Sequence, residues 1–320
     1  VRRGRKDVGQ DLFSRPQGVD GVFPVIFCGR YPKMKNVLRT LIGGGQVSLT
    51  LIDGTEIVRE AIRLHVLSRA SAIALGKTLL DMTFISASLK EEKHSVSVSV
   101  RGNGEGGEIS VSGNGRLEMR GYIGDTSVPV LPGEREEEAE TRCLGAEGSV
   151  TVIRDDGYGG LPFVGSCLLP ASGGVDAAFE EYYRISEQLP TRIASVLHFE
   201  GDELAFAGCA ALQPLPDADK SLFDSLPKGE ELQKIAAEIG RLGTEKCAKE
   251  YFSADSAAFA LREAAYKCNC SKEYLSGVLL SLGREELEDI LRTEGEIRVH
   301  CHYCNKDYRF TAEDVKKMFP

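Results

Sequence analysis

Two pairs of cysteines stand out as groups that could do chemistry: Cys268 and Cys270 in CNC, and Cys301 and Cys304 in CHYC. In an extended segment, side chains two apart project from one face, so the first pair can aim both sulfurs at one point. A CxxC turn presents its two thiolates in the same way. Four soft ligands arriving in two pairs select Zn2+ in tetrahedral geometry, and a site closed by four thiolates is structural rather than hydrolytic. His300 and His302 flank Cys301 and could substitute as ligands; the plainer reading makes them exposed neighbours whose charge affects thiolate reactivity. Cys28, Cys143, Cys167, Cys209 and Cys247 are scattered singly and read as bystanders. An odd total of nine cysteines points to free thiols in a reducing compartment, with a metal or redox site, rather than to a disulfide scaffold.

The segment joining the two hooks is amphipathic. Leu275, Val278, Leu279 and Leu282, then Leu287, Ile290 and Leu291, predict two short helices with Gly283 and Gly295 as stops. A unit of about 50 residues is too small to rely on its core, so a bound metal must supply much of its folding free energy. Upstream, VSLTLID reads as a strand, followed by helical spacing through Ile57, Ile62, Leu64, Leu67 and Ala70 and a second helix to about Leu89. HSVSVSV and EISVS form a hairpin, and Leu117–Ile123, Ser149–Arg154, Phe163–Leu168, Arg192–Phe199 and Leu204–Gln213 read as further strands, with a helix at Ala177–Gln188. These elements predict an α+β fold with one mostly antiparallel sheet over residues 40–213. Residues 214–267 are charged and partly helical, with Leu232, Ile235, Ile239, Tyr251 and Phe252 on a face that needs a partner surface. Residues 268–320 form the cysteine unit. GEREEEAE at 133–140 reads as a solvated surface loop.

Composition removes several function classes. The 320 residues carry a formal charge of −9, which leaves no whole-chain positive field to recruit nucleic acid. The apolar stretch Ala70–Leu89 is interrupted by Lys77 and Asp81 and predicts no membrane span. Gly102, Gly104 and Gly107 have dinucleotide-loop spacing, but a strand follows where a helix N-terminus would be needed, so they read as hairpin-turn glycines. The tripeptide GKT at 76–78 has Ser71 in place of the first P-loop glycine and lies inside a helix. No paired carboxylates, nucleophile elbow or Ser/His/Asp grouping marks an enzyme. Residues 1–39 are basic and read as an extension, either a solvated tail or the remnant of an organellar presequence. The expected compartment is cytoplasmic, with a mitochondrial or other organellar location as the alternative.

The C-terminal segment CNCSKEYLSGVLLSLGREELEDILRTEGEIRVHCHYCNKDYRF resembles the zinc domain of the heat shock protein 33 family of redox-regulated holdase chaperones. Two other stretches resemble the same family in the same order: VTVIRDDGYGGLPFVG at Val150–Gly165 and YYRISEQLPTR at Tyr182–Arg192. The resemblance covers about residues 40–320, and the basic segment before it and the acidic stretch at 133–140 depart from the family pattern.

The resemblance implies an ATP-independent chaperone that is inactive when reduced, with one zinc ion on Cys268, Cys270, Cys301 and Cys304. Oxidation would join Cys268 to Cys270 and Cys301 to Cys304, release zinc, unfold the C-terminal unit and the linker, and expose apolar surface to unfolding client proteins. Homodimerisation on oxidation is expected on the same ground. Two rival readings stay open: a zinc-ribbon-like nucleic-acid-binding module, and a thiol–disulfide oxidoreductase using CHYC, although that motif here follows IRVH and precedes another strand-like run.

Overall fold

The structure is a computed structural model that describes residues 35–319; the basic segment up to residue 34, and Cys28 with it, lies outside the described residues. The chain opens with a hairpin, β1 (Val37–Ile42) and β2 (Val47–Asp53), so the first strand starts within the stretch assigned above to the extension. Helices α1 (Thr55–His65) and α2 (Arg69–Ala87) follow, then a meander of β3 (Ser95–Gly102), β4 (Glu108–Asn114) and β5 (Glu118–Ile123). Next come α3 (Glu136–Leu144), β6 (Gly148–Asp155), β7 (Phe163–Leu168) and α4 (Gly174–Tyr182), which runs into a π-helical turn at Tyr183–Glu187. The hairpin β8 (Arg192–Glu200) and β9 (Glu203–Pro214) completes the body.

The strands form two sheets where the sequence predicts one. Their orders are β10-β1-β2-β9-β8 and β11-β5-β4-β3-β6-β7, with β10 (Ala260–Arg262) and β11 (Ala265–Tyr266) supplied by the linker. Every pairing is antiparallel except that of β11 with β5. The helix α2 explains the split. From Ala70 to Ala87 all its residues except Lys77 are buried, and a helix apolar on every side must be covered on every side. It packs against strands of both sheets. Its hydroxyls turn inward to backbone: Thr78 donates to Ala74 O at 2.7 Å and Thr83 to Leu79 O at 2.8 Å. Of the glycines of RGNGEGG, Gly102 ends β3 and Gly104, Gly106 and Gly107 form the β3–β4 turn, with Gly107 at φ +66°.

The acidic stretch differs from its expectation. Residues 136–144 are helical, and Glu140 is buried, where it pairs with Lys77 Nζ at 2.8 Å and accepts the Val175 N–H at 2.7 Å. Glutamates at a helix N-terminus are favoured by the exposed backbone N–H groups there, and this favours a helix over the loop that charge alone suggested.

The linker forms α5 (Lys220–Ser225), α6 (Glu230–Leu242), α7 (Thr244–Phe252) and then β10 and β11. Leu232, Ile235, Ala236 and Ile239 of α6, with Cys247 and Phe252 of α7, bury against Leu38, Leu49, Leu51 and Leu212. The five-stranded sheet is therefore covered on both faces, which is why Ser48 and Thr50 of β2 are buried along with their apolar neighbours. Asn36 fixes the crossing from β10 to β11: its amide accepts Ala264 N at 2.7 Å and donates to Ala264 O at 3.1 Å.

The C-terminal unit contains α8 (Lys272–Leu280), α9 (Arg284–Glu294), the hairpin β12 (Ile297–Cys301) and β13 (Lys306–Phe310), and α10 (Ala312–Met318). Gly295 ends α9 in the left-handed region at φ +81°, the stop its position predicts. Its buried core consists of Leu279, Leu287, Ile297, Phe310 and Val315. Among the described residues no helix is long and apolar enough to cross a membrane.

Candidate metal centre

Each cysteine hook is held by its own local structure. Cys268 and Cys270 follow β11, whose register on β5 is fixed by Ala265 opposite Glu118 and by Lys267 N donating to Met119 O at 2.7 Å. Cys301 ends β12, and Cys304 lies in the tight turn before β13. The Cys301 carbonyl closes that turn by accepting Asn305 N at 2.8 Å, with Asn305 at φ +58°.

The turn and the extended segment bring all four sulfurs within 4.8 Å of one another. Cys268 Sγ lies 3.7 Å from Cys301 Sγ, and Cys270 Sγ lies 3.2 Å from Cys304 Sγ. These cysteines are free thiols. Sulfurs about 2.3 Å from one tetrahedral zinc would stand a little under 4 Å apart, so the donor set and its spacing fit such an ion. Among the described residues this is the single group of three or more His, Cys, Asp or Glu side chains able to hold a metal ion. The histidines stay outside it: His300 Nδ1 lies 2.7 Å from Asp307 Oδ1, and the His302 ring packs 5.4 Å from Tyr122.

The thiols are not equivalent. Burial pushes the Cys270 thiol up, but hydrogen bonds from Tyr308, Cys304, Cys268 and Cys301 outweigh it and hold it near 7. Burial and the neighbouring thiols push Cys304 well up, and burial also raises Cys268. Tyr308 Oη lies 3.1 Å from Cys270 Sγ and donates to Cys270 O at 3.2 Å. The scattered cysteines contrast with these. Cys143, Cys167, Cys209 and Cys247 are buried, and desolvation lifts their thiols, to about 12 for Cys143 and about 11 for Cys167 and Cys247. Such thiols are poor nucleophiles.

Sequence reasoning missed the tyrosines that seat the knuckle on the body. Tyr303, between Cys301 and Cys304, packs edge-on against Tyr122 of β5 at 5.5 Å. Its hydroxyl lies 3.4 Å from Ser110 Oγ of β4, and its carbonyl accepts the Tyr266 hydroxyl. The Tyr266 hydroxyl also meets Gly121 N at 3.2 Å and His65 Nε2 at 3.2 Å, while Asn305 Nδ2 donates to Leu64 O at 3.2 Å. An aromatic residue inside a CxxC turn was the available signal.

The family model described as Hsp33 protein matches residues 35–311, a span that takes in the body, the linker and all four clustered cysteines. The chain belongs to the Hsp33 family. Among curated relatives, the 33 kDa chaperonins of Bacillus cytotoxicus and of Bacillus cereus are each 32% identical over 293 residues, covering 89% of this chain and 99% of the relative. The crystal structure of a 33 kDa chaperonin (heat shock protein 33 homolog) from Thermotoga maritima superimposes with a TM-score of 0.73 at 24% identity, covering 88% of this chain and 96% of that one. At that identity the superposition speaks for the Hsp33 fold, which here includes both sheets and the α+β architecture.

Proposed function

We propose that this chain is a redox-controlled, ATP-independent holdase: reduced and zinc-bound it is inactive, and oxidised it binds unfolding client proteins and prevents their aggregation. The observation that carries this reading is the closure of four thiols into one group at the junction of the linker and the C-terminal unit. A bound zinc ion would cross-link the two hooks and keep the four sulfurs as thiolates. Cys268 and Cys270 would hold it from the end of β11, and Cys301 and Cys304 from the β12–β13 turn.

The remaining steps belong to the chain. A thiolate in the CxxC pair attacks a peroxide oxygen, the O–O bond breaks, and the sulfur becomes a sulfenic acid while hydroxide leaves and takes a proton from solvent to become water. The neighbouring thiol of the same hook attacks that sulfur, the S–O bond breaks, and a second water leaves as the disulfide forms. Two electrons pass from the two sulfurs to one peroxide. A second peroxide oxidises the other hook. Pairing within each hook, Cys268 with Cys270 and Cys301 with Cys304, is what the family resemblance implies. The ring closed across one residue is strained and hence readily reduced again, as a reversible switch needs. Opening removes the seat of Tyr303 on Tyr122 and frees the linker whose apolar face covers the five-stranded sheet.

The rival readings find less support. The CHYC turn joins two antiparallel strands rather than opening a helix, which disfavours an oxidoreductase. GKT lies within α2, where Gly76 and Thr78 are buried, and offers no phosphate loop. Client proteins are the expected partners, with a homodimer on oxidation, and the expected location is cytoplasmic. Zinc content and thiol count before and after peroxide with mild unfolding stress test the reading. It predicts loss of one zinc and four thiols together with the appearance of aggregation suppression, and it fails if zinc is retained while suppression appears.

A further inference from the structure

Tyr308 links the two cysteine hooks through a group that is not a sulfur. On β13 it stands opposite Val299, two residues before Cys301, so its ring leaves the hairpin on the face that carries Cys301. Its hydroxyl reaches across to the other hook, 3.1 Å from Cys270 Sγ and 3.2 Å from Cys270 O, and so holds one residue by its side chain and its backbone together. The residues after Cys270 are fixed as well. The Ser271 hydroxyl caps α8 by accepting Tyr274 N at 3.1 Å, and Lys272 Nζ donates to Asp314 Oδ2 of α10 at 2.9 Å. The CxxC hook has no equivalent of Tyr308. Among the described residues, Cys301 Sγ and Cys304 Sγ have only other cysteine sulfurs as hydrogen-bond partners.

We propose that Tyr308 is a positioning residue of the redox switch: its hydroxyl donates to the Cys270 thiolate, strengthens that sulfur's hold on zinc and slows its attack on peroxide. The proposal rests on the holdase reading above and names the residue that turns peroxide toward the CxxC pair. With zinc bound, all four sulfurs are thiolates and can only accept hydrogen bonds, so the tyrosine is the donor. A hydrogen bond to an ionised acceptor is among the strong ones, and a partner outside the ligand set orients the ligand and tunes its hold on the metal. The same bond draws charge from the sulfur, and the nucleophilicity of a thiolate falls with its basicity. Cys270 cannot escape this role. If it attacks peroxide itself, its sulfur forms the S–O bond as the O–O bond breaks and hydroxide leaves. If Cys268 is oxidised first, Cys270 must attack the resulting sulfenic sulfur, forming the S–S bond as the S–O bond breaks. By either route Cys270 acts once as the nucleophile, so one hydroxyl restrains the whole hook, whereas the CxxC sulfurs meet no such donor.

The test uses the full reduced chain, loaded with zinc for the redox measurements and with Co2+ for spectroscopy. Tyr308→Phe keeps the ring and removes the hydroxyl, and 3-fluorotyrosine at position 308 keeps the hydroxyl and makes it a stronger donor. Tyr274→Phe, which removes the hydroxyl of an exposed tyrosine four residues from Cys270, is the control. Under limiting hydrogen peroxide, alkylation and peptide mass spectrometry should find the wild-type CxxC pair oxidised ahead of Cys268 and Cys270. Tyr308→Phe should raise the initial rate of the Cys268–Cys270 disulfide relative to the other about threefold, the size expected from a tenfold change in thiol acidity. Zinc affinity, read by competition with a chromophoric chelator, should fall about tenfold or more. The sulfur-to-cobalt charge-transfer band should move to longer wavelength in Tyr308→Phe and to shorter wavelength with fluorotyrosine, while Tyr274→Phe matches the wild type throughout. If the band and the ratio of the two disulfides stay at wild-type values in both position-308 variants, even with zinc affinity lowered, Tyr308 only supports the fold and the proposal is overturned, with the holdase reading intact. Equal shifts in Tyr274→Phe overturn it in the same way. If the wild type binds no zinc, or peroxide forms neither disulfide, the proposal and the holdase reading fall together.

Discussion

The body and the C-terminal unit are held together by different physics. In the body a nineteen-residue helix is enclosed by two sheets, and fully buried side chains such as Phe179, Tyr182, Leu75 and Leu80 supply a continuous apolar core. The C-terminal unit buries Leu279, Leu287, Ile297, Phe310 and Val315, and its four clustered thiols sit at its junction with the linker. A core of that size offsets little of the conformational entropy of about 50 ordered residues. One region is therefore stable by composition, and on the proposed reading the stability of the other depends on what its sulfurs are bonded to.

The sharpest way to break this contrast is to remove the metal. A chelator combined with oxidant should unfold residues 268–319 and leave the body folded, the loss being on the order of 10 kcal/mol for a structural zinc. Hydrogen exchange read separately over the two regions checks this, and equal protection before and after would erase the distinction. Phe179→Ala provides the converse: it should cost the body about 3–5 kcal/mol, through the lost burial and the cavity left behind, with no change in zinc stoichiometry. Differential scanning calorimetry with zinc titration separates the two effects.

Arg192→Met should cost less, about 1–3 kcal/mol, because it removes a charged donor from two linker carbonyls. Its readout is faster proteolysis of residues 220–230 in the reduced protein at unchanged zinc content. The smallest effect concerns pH. Burial is the largest influence on Asp176 and Glu140 adds to it, so that its carboxyl stands at about 7 despite Lys77 beside it. A carboxyl raised in the folded state contributes stability that is complete below the ordinary value of about 4 and is lost as pH rises through about 7. Asp176→Asn should flatten the slope of body stability between those limits in urea denaturation, and leave the pH dependence of zinc binding where it was.

Much of the site was legible because ligand chemistry is local. The CNC and CHYC spacings, and Gly295 as the stop of α9, carry their meaning within a few residues, whereas Gly283 precedes α9 as its N-cap and α8 has already ended at Leu280. Strand positions were legible for the same reason, since alternation is a property of each segment. Assignment of strands to sheets is not: VSLTLID and SVSVSV alternate alike, yet β2 lies in one sheet and β3 in the other, and the clue lay in α2, whose apolar residues do not keep to one face. The charge of 133–140 concealed Glu140, because its burial depends on Lys77, 63 positions away in the chain. Tyr303 was missed because its partners, Tyr122 and Tyr266, belong to strands whose neighbours the sequence does not name.

The passage from β10 to β11 joins regions that otherwise share little backbone. Within residues 260–266 the chain pairs first with β1 of one sheet and then with β5 of the other, and a single residue, Lys267, separates it from Cys268. It works as a seam stitched across both sheets with its loose thread tied to a sulfur. Pulling that thread bares two strand edges in one motion, on opposite sheets, so a chemical event confined to a few atoms would be read out as a change in which sheet margins are open to other chains.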